Sequence, residues 1–292
     1  MLQLHTRQLR QRLFHGGRSA VEALVARARS RASSSSKVPL FYFWEPANSM
    51  HAYLQLCIET WSRRFSSFEI IPLSYANLHR YLDRNTYDSE QLRKLSLPQQ
   101  ADAIRAALLE QVAGAWFDCD TIALRDAKEL LDRGEGREAV VFGNPEKGRF
   151  SINILLATRR RSAFFGQWRE ECQKRVRSMP SVRSWDYMGN AFLNAWVQQG
   201  RFSGDQLAIL PWVDHGLFPE AVVLKKYGKG PYQEFWFGRD RPAESAFLGE
   251  HQFAIELHNA WTPKWYQAKP RGWLVAESRQ LLSKTIRHAL MV

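Results

Sequence analysis

Cysteine is scarce in this chain of 292 residues, which contains only Cys57, Cys119 and Cys172. Their odd number and wide spacing exclude a disulfide framework and a zinc-binding pattern, and they favour a reducing compartment. Long hydrophobic runs are also missing, because no apolar stretch reaches the length that spans a bilayer. Arginines interrupt the N-terminal segment, where a secretory signal would need an uninterrupted apolar core. We therefore expect a cytoplasmic protein.

Acidic residues are nearly absent from the first 37 residues, which contain eight Lys or Arg and one Glu. More than half of the formal charge of +12 therefore lies in this arm, which ends at the serine run 33–36. A basic amphipathic arm could contact an anionic membrane surface, at on the order of 1 kcal/mol for each basic residue. A solvated tail is the alternative, and the sequence leaves both open.

The composition beyond the arm is that of a globular protein, with 45% hydrophobic and 13% aromatic residues overall. From residue 38 strand-like and helical patterns alternate. We predict strands over 38–44, 68–73 and 115–118, with helices over 50–64 and 97–112 between them. Strands that alternate with helices indicate parallel βαβ units, and so an α/β fold with a mostly parallel central sheet flanked by helices.

The patterns downstream predict more elements of both kinds. They indicate strands over 138–143 and 151–158, and helices over 123–133, 162–176, 185–199 and 273–292. We divide the chain into a basic arm with its serine linker (1–37), a catalytic domain (38–265) and a C-terminal amphipathic helix (266–292).

Two acids end an apolar strand in the segment "VAGAWFDCDTIAL" (112–124). Ligands of open α/β sheets bind beyond the carboxyl ends of the strands, and residues one apart on an extended chain point to the same side. Asp118 and Asp120 could therefore face one hard cation, Mg²⁺ or Mn²⁺, shared with a substrate diphosphate. The alternative is a turn in which Asp120 or Thr121 caps the following helix.

The helix before this strand adds Asp102 and Arg105, three residues apart on one helical face. The segment "ADAIRAALLEQVAGAWFDCDTIAL" (101–124) resembles the "sD-x-x-R … L … yGG-x-W/Y-x-D-x-D" segment of the DXD-containing glycosyltransferases of the capsular polysaccharide synthesis type. The matching positions are Asp102, Arg105, Gly114, Trp116, Asp118 and Asp120. The sequence departs from the family at Ala113, where the family has its first glycine. It also departs at Gln111 and Val112, where the family has aromatic character just before that glycine.

The resemblance extends to both sides of this segment. Trp44 at the end of the first strand and Trp61 at the end of the first helix match upstream family positions. Downstream, Gly189 in "DYMGNAFL" is similar to the glycine of a family "tGP" segment. "LHNAWTPKW" resembles the family's "H-x-x-x-S-W" region, with His258 and either Trp261 or Trp265 as the matching residues.

The resemblance implies a GT-A type nucleotide-diphospho-sugar transferase fold. It also implies transfer of a sugar, with retention of configuration, from a nucleotide-sugar donor, a UDP- or GDP-sugar. The acceptor would be a saccharide or glycolipid, such as a precursor of a capsule, exopolysaccharide or lipopolysaccharide. The cofactor would be Mn²⁺ or Mg²⁺, and the basic arm would place the protein on the inner membrane face.

The site residues that the resemblance implies have distinct roles. Asp118 and Asp120 would hold the cation with His258, whose alternative is a structural histidine. Asp102 and Arg105 would contact the sugar hydroxyls and orient the acids, their alternative being a surface ion pair worth well under about 1 kcal/mol. Trp44 would stack on the nucleobase, or pack in the core instead, and Trp261 would donate its indole N–H to the diphosphate.

Other function classes remain open from the sequence. A metal-dependent phosphohydrolase would need further Asp or His residues near 118–120, and none is present there. A basic nucleic-acid-binding protein fits the pI of about 9.8, but the charge is concentrated in the arm and no binding motif appears. We therefore expect no nucleic-acid partner. A catalytically inactive protein of the same fold is a further alternative.

Overall fold

The strands of the computed structural model, which describes residues 37–181, 183–277 and 279–291, form two sheets. In chain order the strands are β1 (Val38–Phe43), β2 (Phe68–Leu73), β3 (Gly114–Phe117), β4 (Thr121–Ala123), β5 (Ala139–Asn144), β6 (Arg149–Ala157), β7 (Ala208–Pro211) and β8 (Ala254–Glu256). The larger sheet has the order β2-β1-β3-β6-β5-β7, and β4 pairs with β8 in the smaller one.

The larger sheet is mostly parallel. β1 pairs in parallel with β2 and β3, and β5 pairs in parallel with β7. β6 pairs antiparallel with both β3 and β5, so among the strands of this sheet it alone runs in the opposite direction. The predicted α/β fold with a mostly parallel central sheet is thereby confirmed.

Helices flank the sheet, as predicted. They are α1 (Ala52–Arg64), α2 (Ser89–Arg93), α3 (Leu97–Gln111), α4 (Lys128–Arg133), α5 (Ala163–Arg177), α6 (Asn190–Gln198), α7 (Pro219–Val223), α8 (Lys229–Gln233), α9 (Lys264–Gln267) and α10 (Leu281–Met291). Short 3₁₀ turns lie at Ala47–Ser49, Leu78–Arg80, Pro145–Lys147 and Ala243–Ala246, and π-helical turns at Glu234–Gly238 and Trp273–Glu277.

Helix α3 carries Asp102 and Arg105, and most of its residues are buried. Its start is fixed by a capping box, in which Ser96 and Gln99 bond each other's backbone, and by Pro98 in the first turn. Buried residues occupy most of its length, and Phe164, Phe165 and Trp168 of α5 belong to the same hydrophobic core. The polar side chains of α3 between Gln99 and Leu109 are therefore held in the protein interior.

The connection from α3 to β3 needs backbone that glycine adopts readily. Gly114 has φ +112°, and a Cβ atom there would lie 2.5 Å from the Pro39 carbonyl oxygen on β1. Ala113, which replaces the family's first glycine, still has φ +66°. A left-handed alanine costs roughly 1–2 kcal/mol, so this position has a conformation that glycine would adopt at lower cost.

The helix predicted over 123–133 is wrong in its first half. Residues Thr121–Ala123 form β4, which pairs antiparallel with β8, and the helix begins only at Lys128. Side chains of α1 hold this strand: the Trp61 indole N–H donates to the Thr121 carbonyl at 2.6 Å, and the Ala123 N–H donates to the Thr60 hydroxyl at 2.8 Å. These long-range bonds outweigh the local helical pattern.

The other helical predictions also differ in their limits. The helix predicted over 185–199 begins at Asn190, directly after Gly189. The predicted C-terminal segment (266–292) is not one continuous helix, and Pro270, which lacks the N–H that such a helix requires, follows α9. Within the helix predicted over 273–292, a π-helical turn covers Trp273–Glu277 and α10 begins at Leu281. The predicted arm (1–37) lies outside the described residues except for Lys37. Within the described ranges, no helix combines the length and apolarity needed to cross a membrane.

Candidate active site

Asp118 and Asp120 lie in a tight turn that joins the larger sheet to the smaller one. The Asp118 N–H donates to the Asn153 carbonyl on β6 at 2.9 Å, and the Thr121 N–H donates to the Asp118 carbonyl at 3.1 Å. The Asp120 carbonyl accepts from the Leu257 N–H at 3.0 Å, just beyond β8. The turn is therefore anchored to both sheets, at the carboxyl end of β3.

Arg105 joins the acid at the strand end to the acid on α3. Its Nη2 lies 2.9 Å from Asp118 Oδ1 and 3.2 Å from Asp102 Oδ1. Its Nη1 donates to the Ile152 carbonyl, and its guanidinium lies 4.8 Å from the Trp116 ring centroid. Arg105 is only 3% exposed. The alternative of a surface ion pair is therefore wrong, because this is a buried network.

Each acid of the turn uses one carboxylate oxygen within the protein and leaves the other without a hydrogen bond to any described residue. Asp118 Oδ1 also accepts from the Trp116 indole N–H at 2.9 Å. Asp120 Oδ2 accepts from the Asn259 N–H at 2.7 Å. Both side chains are partly exposed. Burial, followed by the charge of Asp118, raises the pKa of Asp120 to about 7.

Glu256 is an acid of this region that the sequence analysis missed. It ends β8, opposite Thr121 of β4, and is 1% exposed. Its Oε2 accepts from the Asn153 amide at 3.4 Å, whereas its Oε1 has no partner among the described residues. Burial, and then the charges of Asp118 and Asp120, raise its pKa well above the usual range. The sequence signal that could have identified Glu256 is an acid within the apolar run "HQFAIELH" (251–258).

His258 lies beyond β8, in a cage of aromatic rings. Its ring is parallel to Phe218 at 5.4 Å and lies 4.1 Å from Trp261, between ring centroids. Burial lowers its pKa to about 4, so the ring is neutral at pH 7, as metal ligation requires. Its Nε2 lies 2.8 Å from the Tyr227 hydroxyl. Among the described residues, no three His, Cys, Asp or Glu side chains form a metal-binding group, so His258 does not join both acids here.

The sequence matches the model of one protein family, which is described as capsular polysaccharide synthesis protein, over residues 8–154. The chain belongs to the capsular polysaccharide synthesis protein family. The match includes α3, β3 and the turn of Asp118 and Asp120. A search of curated proteins finds no match.

Solved structures similar to this family member include several glycosyltransferases. GlyE of Streptococcus pneumoniae TIGR4 is 12% identical with a TM-score of 0.41, over 84% of this chain and 65% of GlyE. WbbM, a bifunctional glycosyltransferase, is 10% identical with a TM-score of 0.45, over 88% of this chain and 50% of WbbM. An LgtC active-site mutant is 12% identical with a TM-score of 0.40, over 81% of this chain and 98% of LgtC.

The tryptophans that the sequence singled out in this capsular polysaccharide synthesis protein lie in different surroundings. Trp44 follows β1, is partly buried, and donates its indole N–H to the Ser49 hydroxyl at 3.3 Å. Trp261 is also partly buried, and its backbone N–H donates to the His258 carbonyl at 2.9 Å. Trp265 is more exposed and contacts Phe237 instead. The predicted ligand contacts of Trp44 and Trp261 stay predictions.

Asp102 of this family member is held against Gly189, the downstream glycine that the sequence identified. A Cβ atom at Gly189 would lie 3.1 Å from Asp102 Oδ2 and 2.4 Å from the Ile152 Cδ1. The missing side chain therefore leaves room for the carboxylate. Burial raises the pKa of Asp102 to about 7, since the opposing effect of Arg105 is offset in part by the charges of Asp118 and Asp186.

This raised pKa predicts a pH dependence of stability. Between the ordinary pKa of 3.8 and the folded value of about 7, the folded protein keeps a proton on Asp102 that the unfolded chain has released. Unfolding is therefore increasingly favoured as pH rises through that window. In metal-free buffer we expect the wild-type protein to lose unfolding free energy, relative to Asp102→Asn, from about pH 4 to about pH 7.

Urea unfolding of both proteins across this range measures the difference. Asp132→Asn, at an exposed position, is the matched control. The difference in unfolding free energy between the wild type and this control should not change with pH in the way expected for Asp102→Asn. A difference between wild type and Asp102→Asn that is constant with pH would contradict the predicted proton uptake.

Proposed function

We propose that this chain is a glycosyltransferase that moves a sugar from a nucleotide-sugar donor, a UDP- or GDP-sugar, to a saccharide or glycolipid acceptor. The observation that carries the proposal is the buried network of Asp102, Arg105 and Asp118 at the carboxyl end of a strand in a mostly parallel sheet. Membership of the family supports the same activity. A GT-A type fold supports it too, because ligands of open α/β sheets bind beyond the carboxyl ends of the strands.

The residues at the turn fit a divalent cation, Mn²⁺ or Mg²⁺. Asp118 and Asp120 each leave one carboxylate oxygen without a bond to any described residue, and Glu256 leaves a buried one. Carboxylate oxygens are the ligands that such hard cations select. We propose Asp118 and Asp120 as the ligands. His258, which does not join both acids in this structure, would be a third only after moving toward them. A cation bound there would neutralise negative charge on the leaving diphosphate.

Arg105 acts in this proposal by positioning. Its two ion pairs fix the Asp118 carboxylate relative to α3, and the Asn259 N–H fixes that of Asp120. Preorganised charges of this kind need no rearrangement when the reaction begins. Asp102 is proposed to accept from a donor sugar hydroxyl.

The aromatic residues and the stereochemistry complete the proposal. The Trp44 ring is proposed to stack on the nucleobase, and the Trp261 indole N–H to contact the diphosphate. We propose retention of configuration, with the leaving phosphate taking the acceptor proton.

Donor hydrolysis by the wild-type protein tests this function. A panel of UDP- and GDP-sugars is incubated with Mn²⁺ and with a chelator, and release of the nucleoside diphosphate is measured. We expect release from at least one donor, with Mn²⁺ only. Simple phosphoesters and labelled oligonucleotides serve as comparison substrates.

Each other result contradicts the proposal in a different way. Phosphate release from simple phosphoesters without donor turnover would indicate a phosphohydrolase. Salt-sensitive oligonucleotide binding without donor turnover would indicate a nucleic-acid-binding protein. No turnover and no donor binding would indicate an inactive protein of the same fold.

A further inference from the structure

A lysine-rich loop lies beside the candidate active site. It connects α7 to α8 and has the sequence "LKKYGKG" (224–230). Lys225, Lys226 and Lys229 are all exposed. None of the three forms an ion pair with a described residue, although many other basic side chains in the same ranges do, as Arg63, Arg125 and Arg175 illustrate. Their charge is therefore available to a ligand.

Tyr227 fixes this lysine loop to the site. The residue is 54% exposed, yet its hydroxyl lies 2.8 Å from His258 Nε2, and its ring lies 5.3 Å from the Trp261 ring. The hydroxyl end of Tyr227 therefore lies against His258, at the edge of the site.

The lysines cannot lie far from this contact. Lys226 adjoins Tyr227, and Lys225 and Lys229 are each two residues away in the chain. Two residues of extended chain span at most about 7 Å. The backbones of all three lysines therefore lie within about 7 Å of the backbone of Tyr227, whose side chain contacts His258 and Trp261 at the edge of the site.

Positive charge at the edge of the site would add to that of the proposed cation. The carboxyl groups of the site are Asp118, Asp120, Glu256 and the buried Glu220, whose two carboxylate oxygens have no described partner, and each of them opposes a diphosphate when it is ionised. Arg105 is already engaged by Asp102 and Asp118. A diphosphate that approaches these acids is repelled unless cations compensate it, and lysine is an effective point charge for phosphate.

We propose that Lys225, Lys226 and Lys229 form a binding site for the diphosphate of the nucleotide-sugar donor, at the edge of the site beside His258. This inference rests on the proposed glycosyltransferase function and adds residues that it does not include. The lysines act through charge, so they stabilise bound diphosphate, and the leaving nucleoside diphosphate, without taking part in proton transfer.

Calorimetric titration with UDP and GDP in the presence of Mn²⁺ tests the inference. The test protein is the full chain with K225Q, K226Q and K229Q combined, which removes three charges and keeps side chains of similar length. We expect about a tenfold to hundredfold increase in Kd for the nucleoside diphosphate that the wild type binds. The dependence of Kd on salt should become shallower. UMP and GMP, with one phosphate fewer, should lose less affinity.

The matched control combines K128Q, K147Q and K174Q, which remove three exposed lysines from α4, from the turn between β5 and β6, and from α5. This control should bind like the wild type. Thermal unfolding of both variants shows whether they are folded, and the single variants K226Q and K229Q should show partial losses of affinity.

The outcomes separate the inference from the function on which it rests. If the wild type binds neither nucleoside diphosphate, the proposed function itself is overturned. If the wild type binds and the lysine-loop variant binds equally well, with unchanged salt dependence, only the lysine-loop site is overturned. Equal weakening by the control variant would show a non-specific charge effect and would also overturn it.

Discussion

Arg105→Met should lower the free energy of unfolding by about 3–5 kcal/mol and abolish sugar transfer. The substitution removes the buried cation between Asp102 and Asp118. At pH 8, above the pKa of about 7 that Asp102 has in the folded protein, it also leaves the Asp102 carboxylate without its ion pair in the interior. Breaking a buried pair in this way costs far more than losing a surface pair. The Ile152 carbonyl also loses its donor. Chemical denaturation measures the first effect, and donor turnover measures the second.

Two further substitutions make this result interpretable. Arg105→Lys keeps the charge but loses the planar group whose Nη2 reaches both acids while its Nη1 donates to the Ile152 carbonyl, so its unfolding free energy should fall between those of the wild type and Arg105→Met. Arg133→Met removes an exposed arginine whose one ion-pair partner among the described residues is Glu129 on the same helix, and should change stability by less than about 0.5 kcal/mol. If Arg105→Met is no more destabilised than Arg133→Met, the buried network does not stabilise the fold.

Asp120→Asn should lower donor turnover at least about a hundredfold and remove the stimulation by Mn²⁺. The substitution removes one negative charge from the proposed cation site. The amide oxygen of the variant can still accept from the Asn259 N–H, so the turn should keep its conformation. Stability of the metal-free protein should therefore be retained, which separates this effect from that of Arg105→Met.

The exposed substitution Asp132→Asn is the matched control for Asp120→Asn, since it removes the same charge from α4. It should leave both turnover and the Mn²⁺ response unchanged. Wild-type turnover by Asp120→Asn, with an unchanged response to Mn²⁺, would exclude Asp120 as a ligand.

The sequence predicts those parts of the site that depend on local periodicity. Asp102 and Arg105 share a helical face because they are three residues apart, and α3 leads directly into β3. A helix and strand so connected bring Arg105 to the strand end, where it meets Asp118.

The remaining contacts depend on pairing between distant segments, which local patterns do not encode. Glu256 and Asn259 reach the acids only because β8 pairs with β4, and that pairing also replaced the start of a predicted helix. The contact of Tyr227 with His258 likewise joins the loop after α7 to the segment after β8. Neither loop has a periodic pattern from which its position could be predicted.

Anomalous scattering from a crystal soaked with Mn²⁺ and the nucleoside diphosphate shows whether Asp118 and Asp120 bind one cation together. We expect one manganese peak in contact with the carboxylates of both Asp118 and Asp120 and with the diphosphate. Bound nucleotide without manganese at these carboxylates, or manganese bound only elsewhere, would contradict this expectation.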